Sequence, residues 1–379
     1  MAKSEYTMLS LAGHEVRLSN PAKVYFPKPG WTKLDLVEYY LAAAEPVLTG
    51  LRERPTVMKR FVNGVMEDPI WQKRVPKNIP DWLQTATVAF PSGRTAEELV
   101  VVDEAHLAWA VNLGVIDFNP HPVRRSDLEH PDELRVDLDP TDDATWDDVR
   151  QTALVAEAVL RDHGLRGYPK VSGSKGIHVN VRITPDWSYL EVRRAALALA
   201  REIERRAPEL ATSKWWKEER HGVFVDYNQN ARDRTVASAY SVRPTPDARV
   251  SCCVAWDEVA DVEPGDLRID TVPARLASVG DPAADIDAQP GSLEQLLDLA
   301  RRDEEGGLGD APWPPHFPKM RGEPKRVQPS RDAAQRGRAG DPQPGGPPPG
   351  FNLQQQGRGA FGSKPRTGQG YEHEFSEEE

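Results

Sequence analysis

The chain has 379 residues, 39% of them hydrophobic, enough for a substantial core in one large domain or two. Its 48 Lys and Arg against 59 Asp and Glu give a formal charge of −11, which excludes a uniformly basic nucleic-acid binder; nucleic-acid contacts must come from local, salt-sensitive patches. Cys252 and Cys253 are adjacent and unsuited to an ordinary structural disulfide, the histidines show no zinc-ligand spacing, and the lack of a signal peptide or membrane-length apolar run predicts a soluble cytoplasmic protein with no membrane partner.

Taken in chain order, Thr32 and Asp35 frame a first helix start, followed by Val37, Tyr40, Leu41 and Ala44 on one face. Lys33 falls on its first turn, where a cation opposes the helix dipole. It is therefore either a solvated charge or one with an anionic partner. Residues 52–77 then hold Arg52, Arg54, Lys59, Arg60, Lys73, Arg74 and Lys77, interleaved with Phe61 and Trp71. Basic side chains beside flat rings suit unpaired nucleic acid; the alternative is core aromatics under a solvated charged face.

The segment RVDLDP reads as a strand. Asp137 and Asp139, two apart, project from one face, while Leu134, Val136 and Leu138 point into the core. Paired carboxylates attract a hard divalent cation, although a solvated pair at a strand end has the same appearance. A helix start at residues 145–148 follows, with Val149, Ala153, Ala156 and Leu160 on one face. Next comes KVSGSKGIHVNVRI, in which residues 172–176 form a small basic glycine-containing loop before an alternating run. Glycines let backbone N–H groups approach an anion and a lysine neutralises charge, so a triphosphate fits; an ordinary hairpin turn is the alternative. A helix at about 189–206 carries Val192, Ala195, Ala196 and Leu199, and a last helix includes Leu293, Leu296, Leu297 and Leu299. Between them, VFVDYNQN supplies a third acid, Asp226, which completes a two-metal ligand set only if the fold brings it beside the pair. Helices and strands together predict an α+β body.

The ordered motifs DLD, SGSKGIH and VFVDYNQNARDRTVASAYSVR, preceded by LSNPAKVYFPKPGWTKLDLVEYY, MKRFVNGV and LEHPDELRVDLDP, resemble the archaeo-eukaryotic primase superfamily, and within it the polymerase domain of bacterial ligase D. The resemblance spans roughly residues 10–303. It implies a two-lobed primase-polymerase catalytic fold with an active cleft between β-rich layers. It also implies that Asp137, Asp139 and Asp226 are catalytic carboxylates binding two Mn²⁺ or Mg²⁺ ions. Ser172, Lys175, His178, Arg243 and Lys59 match nucleotide-contacting positions for NTP or dNTP substrates. Asn119 stands where the family often has histidine; it can hydrogen-bond but carries no charge. A core or strand-end role is the alternative for His178. Lys23 and Lys33, with Asn20, match the site for the 5′-phosphate of a downstream DNA strand. Ile70 and Trp71 replace a pair of phenylalanines that pack on the template.

The implied function is templated extension or filling of DNA ends in non-homologous end joining, favouring ribonucleotides, by a stand-alone, nucleoid-associated polymerase. Implied partners are gapped or overhanging DNA ends, a Ku-type end-binding protein and a separate ATP-dependent DNA ligase. The rival readings are an end-bridging module with little polymerase activity, a priming enzyme outside end joining, and a metal nuclease, which leaves the triphosphate loop unexplained.

Domain boundaries are predicted at 1–303 for the catalytic region and 304–379 for a tail. Eleven of the 34 prolines lie between 311 and 350, and such composition cannot offset chain entropy, so disorder is expected from about 320. Residues 313–320, WPPHFPKM, are a candidate docking strap, a partner motif or an untethered linker. Seven basic and two acidic residues between 319 and 338 add candidate weak DNA contacts.

Overall fold

In the computed structural model, which describes residues 5–90, 92–314 and 317–325, three α-helices begin where side chains close a capping box. Thr32 and Asp35 open Lys33–Ala42, Thr145 and Asp148 open Trp146–Asp162, and Ser188 and Glu191 open Tyr189–Arg206. Each reciprocal pair satisfies N–H groups that the first turn leaves without partners. The first helix stops at Ala43 and a second, Ala44–Leu51, follows at once. Pro46 cannot donate a backbone hydrogen bond into the preceding turn, which separates Ala44 from the face predicted for one longer helix.

Two sheets carry the molecule. In the first, Pro55–Arg60 pairs antiparallel with Ile70–Gln72, Thr95–Val100 and Val115–Pro120, and Thr85–Ala89 pairs with Thr95–Val100. The second runs in the order Gly167–Val171, Ile177–Arg182, Glu133–Pro140, Val223–Val225, Ala211–Thr212, with only the last pair parallel. Helices Trp146–Asp162 and Tyr189–Arg206 pack on this second sheet, and Glu294–Glu305 packs on Tyr189–Arg206. One continuous apolar core runs through both sheets and their helices.

Residues 238–243 are tied to the first sheet and to the helix Lys33–Ala42. Ser238 N donates to Phe118 O at 2.8 Å, Phe118 N to Ser241 Oγ at 2.9 Å, and Val242 N to Tyr40 Oη at 2.9 Å. The strand Glu133–Pro140 departs from simple alternation: residues 133–138 are all buried. Leu134, Val136 and Leu138 join the core. On the opposite face Glu133 pairs with Arg135 and Arg182, and Arg135 donates to Pro120 O at 2.9 Å, so the polar face is covered by ion pairs and by the other sheet.

After the last helix, residues 308–314 and 317–325 lie back on the body. Trp313 and Phe317 pack against Ala231 with Met320 beside them. Glu323 accepts from the backbone N–H groups of Trp313 and Met320, at 2.9 and 3.0 Å. The part of the predicted tail from residue 326 onward, including most of the basic stretch to 338, lies outside the described residues.

Candidate active site

The antiparallel register carries the carboxylates together. Glu133–Pro140 pairs with Val223–Val225, placing Asp139 opposite Phe224, and Asp226 N donates to Asp137 O at 2.9 Å as the chain turns into the short helix Tyr227–Asn230. One carboxylate oxygen from each of Asp137, Asp139 and Asp226 lies within 4.8 Å of the other two. Asp137 is buried, Asp226 half-buried and Asp139 exposed, so the cluster has a closed floor and an open mouth.

Three negative charges this close repel, and the protein packed around them displaces water even from Asp139, whose side chain still reaches the surface. Asp137 is held well above the ordinary carboxylate range, by burial first and then by Asp139 and Asp226. Asp139 is pushed up to about 6 by its desolvated surroundings and by Asp226, and burial raises Asp226. Asp137 Oδ1 is buried and lacks a well-formed hydrogen bond, with His178 Nε2 in contact at 3.2 Å. An under-satisfied buried oxygen beside two further carboxylates, open on one side, fits a hard divalent cation with room for a substrate oxygen.

The raised values fix a pH dependence. Between the ordinary aspartate range and the raised folded values the native state binds more protons than the unfolded chain, so metal-free stability falls as pH rises through that window. A bound cation removes the repulsion. Mn²⁺ should therefore raise the melting temperature clearly near about pH 7.5 and little near about pH 5; equal shifts at both would contradict the assignment.

His178 sits opposite Asp137 in the sheet register. Its Nδ1 lies 2.7 Å from Lys170 Nζ, and Lys170 also donates to Ala237 O at 2.9 Å and Ser251 Oγ at 2.8 Å. A charged Lys170 thereby fills its three N–H positions and leaves the His178 Nε2 proton facing Asp137. Burial keeps His178 well below its ordinary value and brings Lys170 down to about 7. Lys170 is fully buried, and the sequence reading missed it: its partners are far apart in the chain.

The loop at residues 172–176 closes on itself. Ser172 Oγ accepts from Ser174 N at 3.2 Å and Gly176 N at 3.1 Å, while Ser172 N donates to Gly176 O at 2.9 Å. Ser172 is thus buried as the loop's fastener, and Lys175 is exposed at its tip. Gly173 adopts φ +70°, and a Cβ there would lie 2.6 Å from Arg243 Cγ and 2.9 Å from Val250 O. Arg243 donates to buried Asp117 at 2.8 Å; Asp117 also accepts from Ser241 Oγ at 3.2 Å. Asn119, two residues along the same strand, is buried and donates to Asp117 O at 3.3 Å. Lys59, brought down by burial and by Arg243, lies over the Trp71 ring at 4.7 Å.

The basic run at 52–77 divides. Phe61 is in the core, and Arg54 is buried in a bidentate pair with Asp132 at 2.6 and 2.9 Å. Neither is available to nucleic acid, because tertiary packing claims the aromatic and an ion pair claims the guanidinium. Ile70 is 52% exposed and Trp71 partly so. Arg220 is a second residue the sequence reading missed. Its guanidinium stacks on Phe224 at 3.5 Å, donates to Trp215 O at 2.6 Å and lowers the pKa of Asp139 and Asp226.

Asn20, Lys23 and Lys33 gather separately, beside the N-terminal hairpin. Asn20 is exposed with φ +49°, and its carbonyl accepts from Lys23 N at 3.0 Å. Lys23 Nζ donates to Val62 O at 2.6 Å. Lys33 is buried rather than solvated: its Nζ donates to Ser19 O at 2.8 Å and Asn112 O at 3.1 Å. These partners are neutral, so burial and then the Lys23 charge bring Lys33 down to about 8.

Comparison with known proteins shows a match over residues 32–283 to a family described as the LigD primase-polymerase domain. The chain is 32% identical over 307 residues to the multifunctional non-homologous end joining protein LigD of Mycolicibacterium smegmatis, covering 80% of this chain and 40% of that protein. To the bifunctional LigD protein of Bacillus subtilis it is 29% identical over 271 residues, covering 71% of this chain and 43% of that one. It therefore spans about two fifths of the length of these relatives. A solved structure, the polymerase domain of Mycobacterium tuberculosis ligase D in complex with DNA, superposes with a TM-score of 0.68 at 31% identity, over 72% of this chain and 98% of that one.

Proposed function

Since this chain belongs to the LigD primase-polymerase domain family, we propose that it is a template-dependent nucleotidyltransferase that extends or fills DNA ends in non-homologous end joining. The observation that carries this reading is the convergence of Asp137, Asp139 and Asp226 within 4.8 Å beside a glycine-containing basic loop. When held by these carboxylates, Mn²⁺ or Mg²⁺ supplies activation of a primer 3′-hydroxyl and neutralisation of phosphate charge. Arg243, Lys59 and Lys175 bring positive charge to the triphosphate of an NTP or dNTP, with Asn119 adding a hydrogen-bonding group but no charge beneath them. His178, held by Lys170, keeps Asp137 oriented. Arg220 offsets the negative charge on the other side of the cluster. Exposed Ile70 and half-buried Trp71 offer apolar surface to the templating base.

The reading is tested with a labelled primer–template, Mn²⁺ and either ribonucleotides or deoxyribonucleotides. Longer products support it, with ribonucleotides expected to be favoured. Bound but unchanged primer supports the end-bridging alternative, and shorter products a nuclease. De novo synthesis on an unprimed template would support a priming role. A Ku-type end-binding protein and a separate ATP-dependent DNA ligase are the proposed partners in the cell.

Asn20, Lys23 and Lys33 make the proposed site for a downstream 5′-phosphate. A doubly charged phosphate supplies the anion that buried Lys33 lacks. Because Lys33 is protonated below about 8 and neutral above, preference for 5′-phosphorylated over unphosphorylated gapped DNA should decline as pH rises through that value. Equal affinity for both DNAs at every pH would remove the three residues from this role.

A further inference from the structure

The turn that presents Asp226 is held from outside by a buried cation. Asp226 accepts from Asn228 N at 2.9 Å, and the Asn228 side chain, itself buried, receives Arg193 Nε at 2.7 Å and donates to Pro312 O at 3.1 Å. Arg193 is 1% exposed. Beyond Asn228, its guanidinium lies 5.2 Å from the Tyr227 ring and hydrogen-bonds to the segment after the last helix: Asp310 Oδ1 at 2.8 Å, Ala311 O at 2.9 Å and Pro312 O at 3.3 Å, with the face of the Trp313 ring at 3.9 Å. Trp313 Nε1 closes back on Asp310 at 2.9 Å, and Glu323 ties Trp313 to Met320. All these strap residues lie beyond the region matched by the family, residues 32–283.

A buried arginine forfeits hydration and is stable only if its donors are filled. Here Asn228 Oδ1 takes one, and two strap carbonyls and one strap carboxylate take the others. Without the strap, Arg193 would open to water or swing away, and Asn228 would lose both side-chain partners that fix it. The Asp226 carboxylate would then be free to rotate off the Asp137–Asp139 pair. On the other side, Asn230 clamps the same turn to the carboxylate strand by exchanging 2.8 Å hydrogen bonds with Arg135 N and O. The turn therefore has one anchor in the sheet and one in the strap.

We propose that residues 310–314, 317, 320 and 323 form a strap that positions Asp226 through Arg193 and Asn228, so that cation affinity at the carboxylate cluster depends on a segment outside the family-matched region. The proposal rests on the reading of the three carboxylates as a metal site. Arg193 and Trp313 are positioning residues and touch neither metal nor substrate.

The test is direct Mn²⁺ binding to the full chain by calorimetry, without DNA or nucleotide, so that its result stands apart from polymerase activity. Arg193→Met and Trp313→Ala should each weaken Mn²⁺ binding by about tenfold, as for other groups that orient metal ligands. Trp313→Phe, which keeps a ring over Arg193, should recover most of it. The sign is diagnostic for Arg193→Met: removing a cation near the cluster by electrostatics alone would tighten Mn²⁺ binding, whereas loss of positioning loosens it. Trp313→Leu, which keeps an apolar plug, serves if the alanine variant fails to fold, and it should also weaken binding. Wild-type or tighter Mn²⁺ binding in the folded variants, whatever their melting temperatures, overturns the proposal. Failure of the wild-type chain to bind Mn²⁺ at all would instead overturn the metal-site reading beneath it.

Discussion

Asp137→Ala is expected to lower the rate of nucleotide addition by at least about a thousandfold, equivalent to roughly 4 kcal/mol of lost transition-state stabilisation. Asp137 is the central ligand candidate: it is the buried member, its neighbours Asp139 and Asp226 flank it, and Lys170 acts on it through His178. Alanine removes the oxygen that lacks a well-formed hydrogen bond and leaves the sheet register intact. The same substitution should raise metal-free stability near neutral pH. The native carboxyl is buried among like charges, so its deletion relieves repulsion. A residue serving only the fold would lose stability on truncation. Primer-extension rates and thermal unfolding without metal, measured on one preparation, check both halves.

Gly176→Ala should damage the site from the nucleotide side. Its added methyl would run into Leu138 O, a backbone atom between the two aspartates that lead the cluster. A flexible side chain could yield to such a contact; a strand carbonyl with Asp137 on one side and Asp139 on the other cannot. Relief requires either the loop at 172–176 or the carboxylate strand to move. The expected cost is roughly 1–3 kcal/mol of stability, as for other overpacked sites, together with a raised nucleotide KM and a lowered kcat. Ser174→Ala, at the exposed tip of the same loop, is the control and should change little. Wild-type stability and kinetics for Gly176→Ala would show that the close approach of loop and strand is not needed.

The helices and the carboxylate strand were legible in the sequence because their signals are local. Thr32 with Asp35 and Thr145 with Asp148 are pairs three residues apart, and the alternation in RVDLDP fixes which side chains share a face. The arrival of Asp226 beside Asp137 depends on pairing between strands nearly ninety residues apart, which no period reveals; the family resemblance supplied it. Lys170 and Arg220 went unread for a related reason. Each looks like one more basic residue until the fold buries it against His178 or stacks it on Phe224. The basic run at 52–77 was only partly legible. Its composition is that of a nucleic-acid patch, yet Arg54 answers to Asp132 and Phe61 to the core. Long-range ion pairs and burial, rather than composition, decide which charges remain for a ligand.

Single-nucleotide addition on gapped DNA with Mn²⁺, comparing wild type with Asp137→Ala under identical conditions, tests the central claim most directly. The account predicts that wild type adds the templated nucleotide while the variant binds the DNA and leaves the primer at its original length. Extension by the variant at the wild-type rate, or a wild-type chain that shortens or ignores the primer, would contradict it.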